Sequence, residues 1–363
     1  MNGKVNAKIL LLPGDGIGTE VTEQAAKLIR AVAEIHGLDI TLEEALIGGA
    51  ALDATGEPLP ADTLAKCREA DAVILGAVGG PQWDNPDATK RPEQGLLDLR
   101  KELKLFANLR PIRLHPTLAH ISPLKPEKLE NVDMMVVREL TGGSYFGAKD
   151  LQENEASDEY RYTREEIERV VRLAADMARN RYGRVTMIDK ANVLATSRLW
   201  RKVAGETMAK SYPDVAYETM LVDSAAMHII TNPSRFNVIV TENMFGDILT
   251  DEASVLVGSM GMLPSASLGE GKAGLYEPIH GSAPDIAGRG LANPFGMLAS
   301  VGMMFEYSLG LREEARQIEL AIWNAVSSGE CTLDIGGNLR TDEAADAVIA
   351  RLGEIHTEKV AFI

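Results

Sequence analysis

The 363-residue chain holds no apolar run of the roughly 18 residues that a membrane-spanning helix needs. Its start, Met1-Asn2-Gly3-Lys4, leads into a short apolar run, Ile9 to Leu12, that Pro13-Gly14 ends. That run is too brief and wrongly flanked for a secretory signal. Cysteine is almost absent: Cys67 and Cys331 stand far apart, match no metal or redox spacing, and read as small apolar groups. Positive charge is in deficit, with 37 Lys and Arg against 53 Asp and Glu and a net charge of -16. That balance argues against nucleic acid and anionic membranes as partners. An anionic substrate would need a local cationic cluster working against the overall field. No internal repeat, low-complexity segment or phosphate-binding loop ending in lysine is present. A cytosolic enzyme fits these absences.

What is there is ordinary globular composition, 45% hydrophobic and 25% charged, in a chain long enough for two domains. Strand-like and helix-like stretches alternate. Lys8 to Leu12 reads as a buried strand, and Glu20 to about Ile35 carries Val21, Ala25, Leu28, Ile29 and Val32 at helical spacing. Ala72 to Leu75 is a short apolar strand before a Gly/Pro/Trp loop, Ala77 to Pro92. Arg164 to Arg181, Leu199 to Lys210, Phe295 to Leu309, Glu313 to Ser327 and Glu343 to Leu352 read as helices. Arg184 to Ile188, Val215 to Val222 and Asn237 to Thr241 read as strands. Such alternation predicts an α/β fold with largely parallel pairing. Phe146 to Tyr162 is acidic and has neither period; it reads as a solvated loop or as an arm that pairs with a second subunit.

Asn243 to Asp251 follows the strand Val238 to Val240. If the segment is helical from Met244, Asp247 and Asp251 lie one turn apart on one face, with Cβ atoms roughly 6 Å apart. Two exposed helix aspartates is the plain reading. Their position just after a strand, where α/β proteins bind ligands, favours a site for an oxygen-seeking divalent cation. Arg100, Arg110 and Arg138 could be unrelated ion-pairing residues. Arg138, however, closes the apolar run Met134 to Val137, and guanidinium groups grip carboxylates bidentately, so the triplet suits a di- or tricarboxylate. Tyr145 is a glycine-flanked phenol. Lys190 and Asp223 close strands, as acid/base or ligand groups do and as boundary salt bridges also do. Gly14-x-Gly16-x-Gly18 fails as a Rossmann fingerprint, because Thr19 stands where the third glycine belongs, and reads as a tight turn. Glu277 to Gly288 is rich in small residues and reads as a loop whose backbone can approach a ligand; His280 alone would more often be structural.

Together these segments resemble the isocitrate/isopropylmalate dehydrogenase family of β-decarboxylating dehydrogenases, over nearly the whole chain. The most specific stretches are Asn243 to Asp251, Arg138 to Gly147 and His280 to Gly288. The resemblance implies a two-domain fold with a mixed, mostly parallel sheet that is not a Rossmann fold. One domain would be discontinuous and cofactor-side, residues 1–105 with 258–363; the other, 106–257, would serve dimerisation, metal and substrate. Arg100, Arg110 and Arg138 would hold substrate carboxylates. Asp223, Asp247 and Asp251 would surround Mg²⁺ or Mn²⁺, with Asp223 and Lys190 reaching in from the second subunit of a homodimer. Tyr145 and Lys190 would be the acid/base pair. The Gly80 to Glu93 loop and Gly281 to Asn293, including Ser282, Ala283, Asp285 and Ile286, would frame NAD, with His280 near the adenine and Glu93 against the nicotinamide.

Two positions narrow the expectation. Asp285 can accept from both ribose hydroxyls and would repel a 2′-phosphate, which favours NAD over NADP. Leu96 and Leu97 stand where isocitrate enzymes place small polar residues; each buried methylene would favour an isopropyl group by about 0.8 kcal/mol. The implied reaction is the oxidative decarboxylation of 3-isopropylmalate to 4-methyl-2-oxopentanoate and CO₂, a step of leucine biosynthesis. A relative acting on tartrate, malate or homoisocitrate is the runner-up. A metal-dependent hydrolase or phosphoryl-transfer enzyme is more distant, since it would have to repurpose Lys190 and the arginines.

Overall fold

The computed structural model describes residues 5–84 and 89–361. Residues 1–4 of the N-terminal start, and residues 85–88 of the loop expected to frame the dinucleotide, lie outside the described residues. The chain divides into two compact units, Met1–Lys104 with Ser259–Ile363, and Leu105–Gly258.

The first unit opens on β1 (Asn6–Gly14), whose Ile9 to Leu12 are essentially inaccessible. Gly14 and Gly16 take positive φ, 69° and 55°, and turn the chain into α1 (Gly18–His36). The expected helical stripe of α1 is its buried face. There follow β2 (Asp39–Glu44), α2 (Gly48–Thr55), α3 (Ala61–Glu69), the wholly buried β3 (Ala72–Ala77) and α4 (Pro92–Glu102).

The second unit begins with β4 (Ala107–Arg113) and β5 (Asp133–Glu139). A hairpin of β6 (Lys149–Leu151) and β7 (Ala156–Asp158) comes next, then α5 (Arg164–Arg179), β8 (Arg184–Asp189), α6 (Ala195–Ser211) and β9 (Ala216–Leu221). It ends on α7 (Val222–Thr231), β10 (Val238–Thr241) and α8 (Asn243–Ser254). Its main sheet runs β4-β5-β10-β8-β9. β4 is antiparallel to β5 and every other pairing is parallel. The carboxyl ends of β5, β10, β8 and β9 therefore share one edge, the edge where ligands of α/β sheets bind.

Back in the first unit come β11 (Pro264–Leu268), β12 (Gly274–Pro278), the almost entirely buried α9 (Phe295–Tyr307), α10 (Arg312–Ser327) and α11 (Thr341–Ala361). The order there is β2-β1-β3-β12-β11, with β11 alone antiparallel to its neighbour. The sheets are mixed and mostly parallel, as the alternation of strand and helix predicted.

Several boundaries differ from the sequence reading. Asp223 does not close a strand: β9 stops at Leu221 and Asp223 sits in the first turn of α7. Glu277 and Pro278, read as loop, are the buried end of β12. The acidic stretch 146–162 contains a two-stranded hairpin exposed at every position, yet its last residue, Tyr162, is buried edge-on against Trp200. β2, β4, β11 and β12 were not anticipated, and each lacks a clean hydrophobic signal. β2 is an acidic Asp39-Ile40-Thr41-Leu42-Glu43-Glu44, β4 contains Pro111, β11 is mostly small and polar, and β12 is bounded by glycine and proline.

Candidate active site

β5 carries Arg138 to the edge of the second unit's sheet, where its side chain is 4% exposed. Its Nε and Nη2 donate to Asn243 Oδ1 at 3.0 and 2.7 Å, and its Nη1 pairs with Asp247 Oδ1. The guanidinium can lie across α8 because the helix has glycine there: a Cβ on Gly246 would stand 2.6 Å from Arg138 Cγ. Arg110, on β4, donates through Nε to Asn108 Oδ1 at 2.9 Å and through Nη1 to Thr250 Oγ1 at 2.6 Å and Asp251 Oδ1 at 3.3 Å. Its Nη2 lies 3.8 Å from Asp247 Oδ1.

α8 is helical from Asn243, so Asp247 and Asp251 do share a face. Its N-terminus is capped by Glu242, which accepts from Phe245 N at 2.6 Å and Met244 N at 3.0 Å. Tyr162 donates to the same carboxyl at 3.2 Å, and burial pushes the Glu242 acid up from its ordinary value. The glycine-flanked Tyr145 donates to Asp247 Oδ2 at 2.9 Å, and the Arg138 guanidinium carbon stands 5.6 Å from its ring centre. Burial first, and the Asp247 carboxylate second, push the phenol up to about 12, so it holds its proton through the neutral range. The turn that carries Tyr145 is shaped by the buried Glu139, which accepts from Thr141 N and Gly142 N at 2.8 Å each.

Lys190 follows β8 and ion-pairs with Asp223 at 2.5 Å, which lowers the Asp223 carboxyl below its usual value. No ion pair or hydrogen bond among the described residues joins this pair to the Asp247 cluster. Nor do three acidic groups of the chain converge to hold a metal ion among the described residues. Asp247 and Asp251 offer hard oxygen donors in the right pairing, with Asp251 66% exposed at its side chain, so they fit part of a magnesium or manganese shell.

In the first unit, Glu93, Leu96, Leu97 and Arg100 recur at i, i+3, i+4 and i+7 on α4 and form one stripe. The two leucines are half-buried. Arg100 donates through Nη2 to Glu277 Oε1 at 2.7 Å, while its Nε is enclosed and unpaired, a donor that fits a carboxylate oxygen. Gly80 packs on the Trp83 ring. His280 Nδ1 lies 2.9 Å from the carbonyl oxygen of Gly281. That oxygen only accepts, so the ring proton sits on Nδ1 and leaves the enclosed, unpartnered Nε2 as an acceptor. Burial lowers the His280 pKa and keeps the ring neutral. Ala283 is strained at φ 36°, Ser282 is buried, Asp285 and Gly281 are exposed, and Ile286 is half-buried. Asn293 accepts from Phe295 N at 2.9 Å and donates to Asp334 at 3.0 Å. These backbone approaches and the free imidazole nitrogen fit a dinucleotide.

Sequence reasoning passed over Asn243, Thr250, Asn108, Glu242, Glu277 and Asp334. Only Glu242, an acidic residue ahead of a helical run, carried a local signal.

Arginines clamped on Asp247, Asp251 and Asn243, beside a phenol that keeps its proton, are groups that can grip a carboxylate and hand on a proton. A family model described as isocitrate/isopropylmalate dehydrogenase matches residues 8–348, and the chain belongs to that family. It is 56% identical over 353 residues to a 3-isopropylmalate dehydrogenase of Anaeromyxobacter dehalogenans, covering 96% of this chain and all of the relative. A 3-isopropylmalate dehydrogenase of Bacillus subtilis is 54% identical, with 90% of this chain and 91% of the relative covered. Among solved structures, an isocitrate dehydrogenase from Methylococcus capsulatus matches with a TM-score of 0.84 at 34% identity, over 95% of this chain and 99% of that one. A β-decarboxylating dehydrogenase from Thermococcus kodakarensis matches at 0.80 and 35%, over 97% of both chains.

Proposed function

We propose that the protein catalyses the NAD-dependent oxidative decarboxylation of 3-isopropylmalate to 4-methyl-2-oxopentanoate and CO₂ in leucine biosynthesis. The family and the names of the near relatives support the reaction class. The observation that carries the substrate is the α4 stripe, where two half-buried leucines are flanked by Arg100 and Glu93. An isopropyl group against Leu96 and Leu97 is favoured by about 0.8 kcal/mol for each methylene buried. A third carboxylate there would meet no donor from those leucines, which separates the substrate from isocitrate.

In this reading Arg100, Arg110 and Arg138 bind and orient the substrate carboxylates, and their guanidinium forks fix which face of the acid is presented. Asp247 and Asp251, with Asp223 from a second copy of the chain, hold Mg²⁺ or Mn²⁺. Asp223 completes a shell that one chain leaves short, and Lys190 comes with it, so the working unit is a homodimer with shared sites. The cation, once bound, supplies Lewis acidity at the hydroxyl and carbonyl oxygens. The Gly80 and His280–Asn293 segments hold NAD, which supplies the hydride acceptor. Lys190 takes the hydroxyl proton, directly or through water, and Tyr145 donates a proton to the carbon that CO₂ leaves. The raised phenol suits that role, because it is protonated when needed. His280 Nε2 accepts from the adenine, and Asp285 accepts from the ribose hydroxyls and disfavours a 2′-phosphate.

Incubation of the purified protein with 3-isopropylmalate, NAD and Mg²⁺ tests the reading. One NADH, one CO₂ and one 4-methyl-2-oxopentanoate should form per substrate consumed. NADH without CO₂, or neither, would contradict it.

A further inference from the structure

The glycine turn between β1 and α1 fails as a fingerprint, yet its aspartate is among the most heavily bonded side chains of the first unit. Asp15 is 5% exposed and gives both carboxylate oxygens to backbone donors. Oδ2 accepts from Gly49 N and Gly79 N, each at 2.8 Å, and Oδ1 accepts from Ala50 N at 2.7 Å. Gly49 and Ala50 form the first turn of α2, while Gly79 lies between β3 and α4. The turn's backbone reaches further: Asp15 N donates to Ala77 O and Ile17 N to Ser282 O, both at 2.8 Å. Gly16 approaches Ser282 so closely that a Cβ would stand 2.0 Å from its carbonyl oxygen. A Cβ on Gly79, at φ 103°, would stand 2.5 Å from Glu93 Oε1. Trp83 closes the group by lying over Gly49 and donating through Nε1 to Asp53 Oδ1 at 3.1 Å.

We propose that Asp15 is a positioning residue for the dinucleotide. It fastens Gly79, on one side of the cofactor frame, to the same short turn that carries the Ser282 side, and so sets the gap between them. The proposal rests on the reading that these two segments frame NAD. The arginines that would grip the substrate carboxylates make no bond to Asp15: Arg100 is held by Glu277, and Arg110 and Arg138 belong to the other unit. Asp15→Asn keeps the shape but turns an amide N–H₂ toward at least one backbone N–H, so the tie loosens without a cavity.

The test is a fluorescence titration of NADH and a calorimetric titration of 3-isopropylmalate with Mg²⁺, on wild type, Asp15→Asn and Gly16→Ala, together with KM and kcat. The expected result for Asp15→Asn is about a tenfold weaker Kd for NADH and a matching rise in the KM for NAD, the worth of one charge-assisted hydrogen bond. Binding of 3-isopropylmalate should stay within about twofold. Gly16→Ala, which presses on Ser282 from the same turn, should weaken NADH in the same direction; if Asp15→Asn does not fold, Ala50→Pro, which removes the Ala50 N–H donor to Asp15 Oδ1 in the first turn of α2, takes its place with the same expected loss. Unchanged NADH affinity in the folded variants, or an equal loss for both ligands, would overturn the positioning role. A wild type that oxidises no 3-isopropylmalate and binds no NADH would instead overturn the cofactor reading, and the proposal with it.

Discussion

Replacing Tyr145 with phenylalanine removes one hydroxyl and almost no volume. The lost hydrogen bond is the 2.9 Å donation to Asp247 Oδ2. A buried bond to a charged group is worth about 1.5–3 kcal/mol. Asp247 is 32% exposed at its side chain and keeps Arg138 and Arg110, so the cost to folding should be about 1 kcal/mol or less. For a chain of 363 residues that is a fall of at most about 1–2 °C in Tm. The cost to catalysis should be far larger, since a lost general acid lowers kcat by about 10²–10⁴-fold, or roughly 2.7–5.5 kcal/mol of barrier. Because the phenol acts after oxidation, rapid mixing should show a burst of NADH on the order of one per site before slow turnover. A difference absorbance titration of wild type against Tyr145→Phe should place the phenol near 12 rather than 10. The folded protein thus holds this proton more tightly than the unfolded chain does. The associated stability is intact below pH 10 and is lost as pH rises toward about 12. A variant with kcat within about threefold of wild type, against the range expected for a general acid, would refute the acid role. So would a raised KM at unchanged kcat.

Two further outcomes follow from the same geometry. Asp251→Asn should raise the Mg²⁺ concentration for half-maximal activity by at least about tenfold, the factor typical for metal-site changes. It should leave the Tm unchanged, because the Asp251 carboxylate is mostly exposed; wild-type Mg²⁺ dependence would remove it from the metal shell. Leu97→Ala should cut the preference for 3-isopropylmalate over malate by about 10-fold or more, the usual worth of apolar pocket contacts. An unchanged ratio of kcat/KM would show that the isopropyl group sits elsewhere.

Some of this was legible in the sequence for physical reasons, and some was not. The pairing of Asp247 with Asp251 depends only on helical spacing, which a short window reports. Arg138 stood out because it ends four apolar residues, and a charge so placed must find partners. Those partners were not legible: Asn243 lies 105 positions away, and nothing local marks an asparagine as a guanidinium clamp. Asp15 is the same case, since its carboxylate binds backbone N–H groups 34, 35 and 64 residues along the chain. The end of β9 was read one residue too far and α7 was missed, because Val222-Asp223-Ser224-Ala225-Ala226 suits a strand end and a helix start alike. The edge strand β2 and the small-residue strand β11 owe their pairing to neighbours rather than to their own hydrophobicity.

The central claim is that the α4 stripe selects an isopropyl-bearing malate. It is tested most directly by comparing kcat/KM for 3-isopropylmalate, malate, tartrate, isocitrate and homoisocitrate on one preparation with NAD and Mg²⁺. The account predicts that 3-isopropylmalate leads by at least about tenfold, the least that an apolar pocket of this kind returns. Equal or better turnover of malate or isocitrate would contradict it.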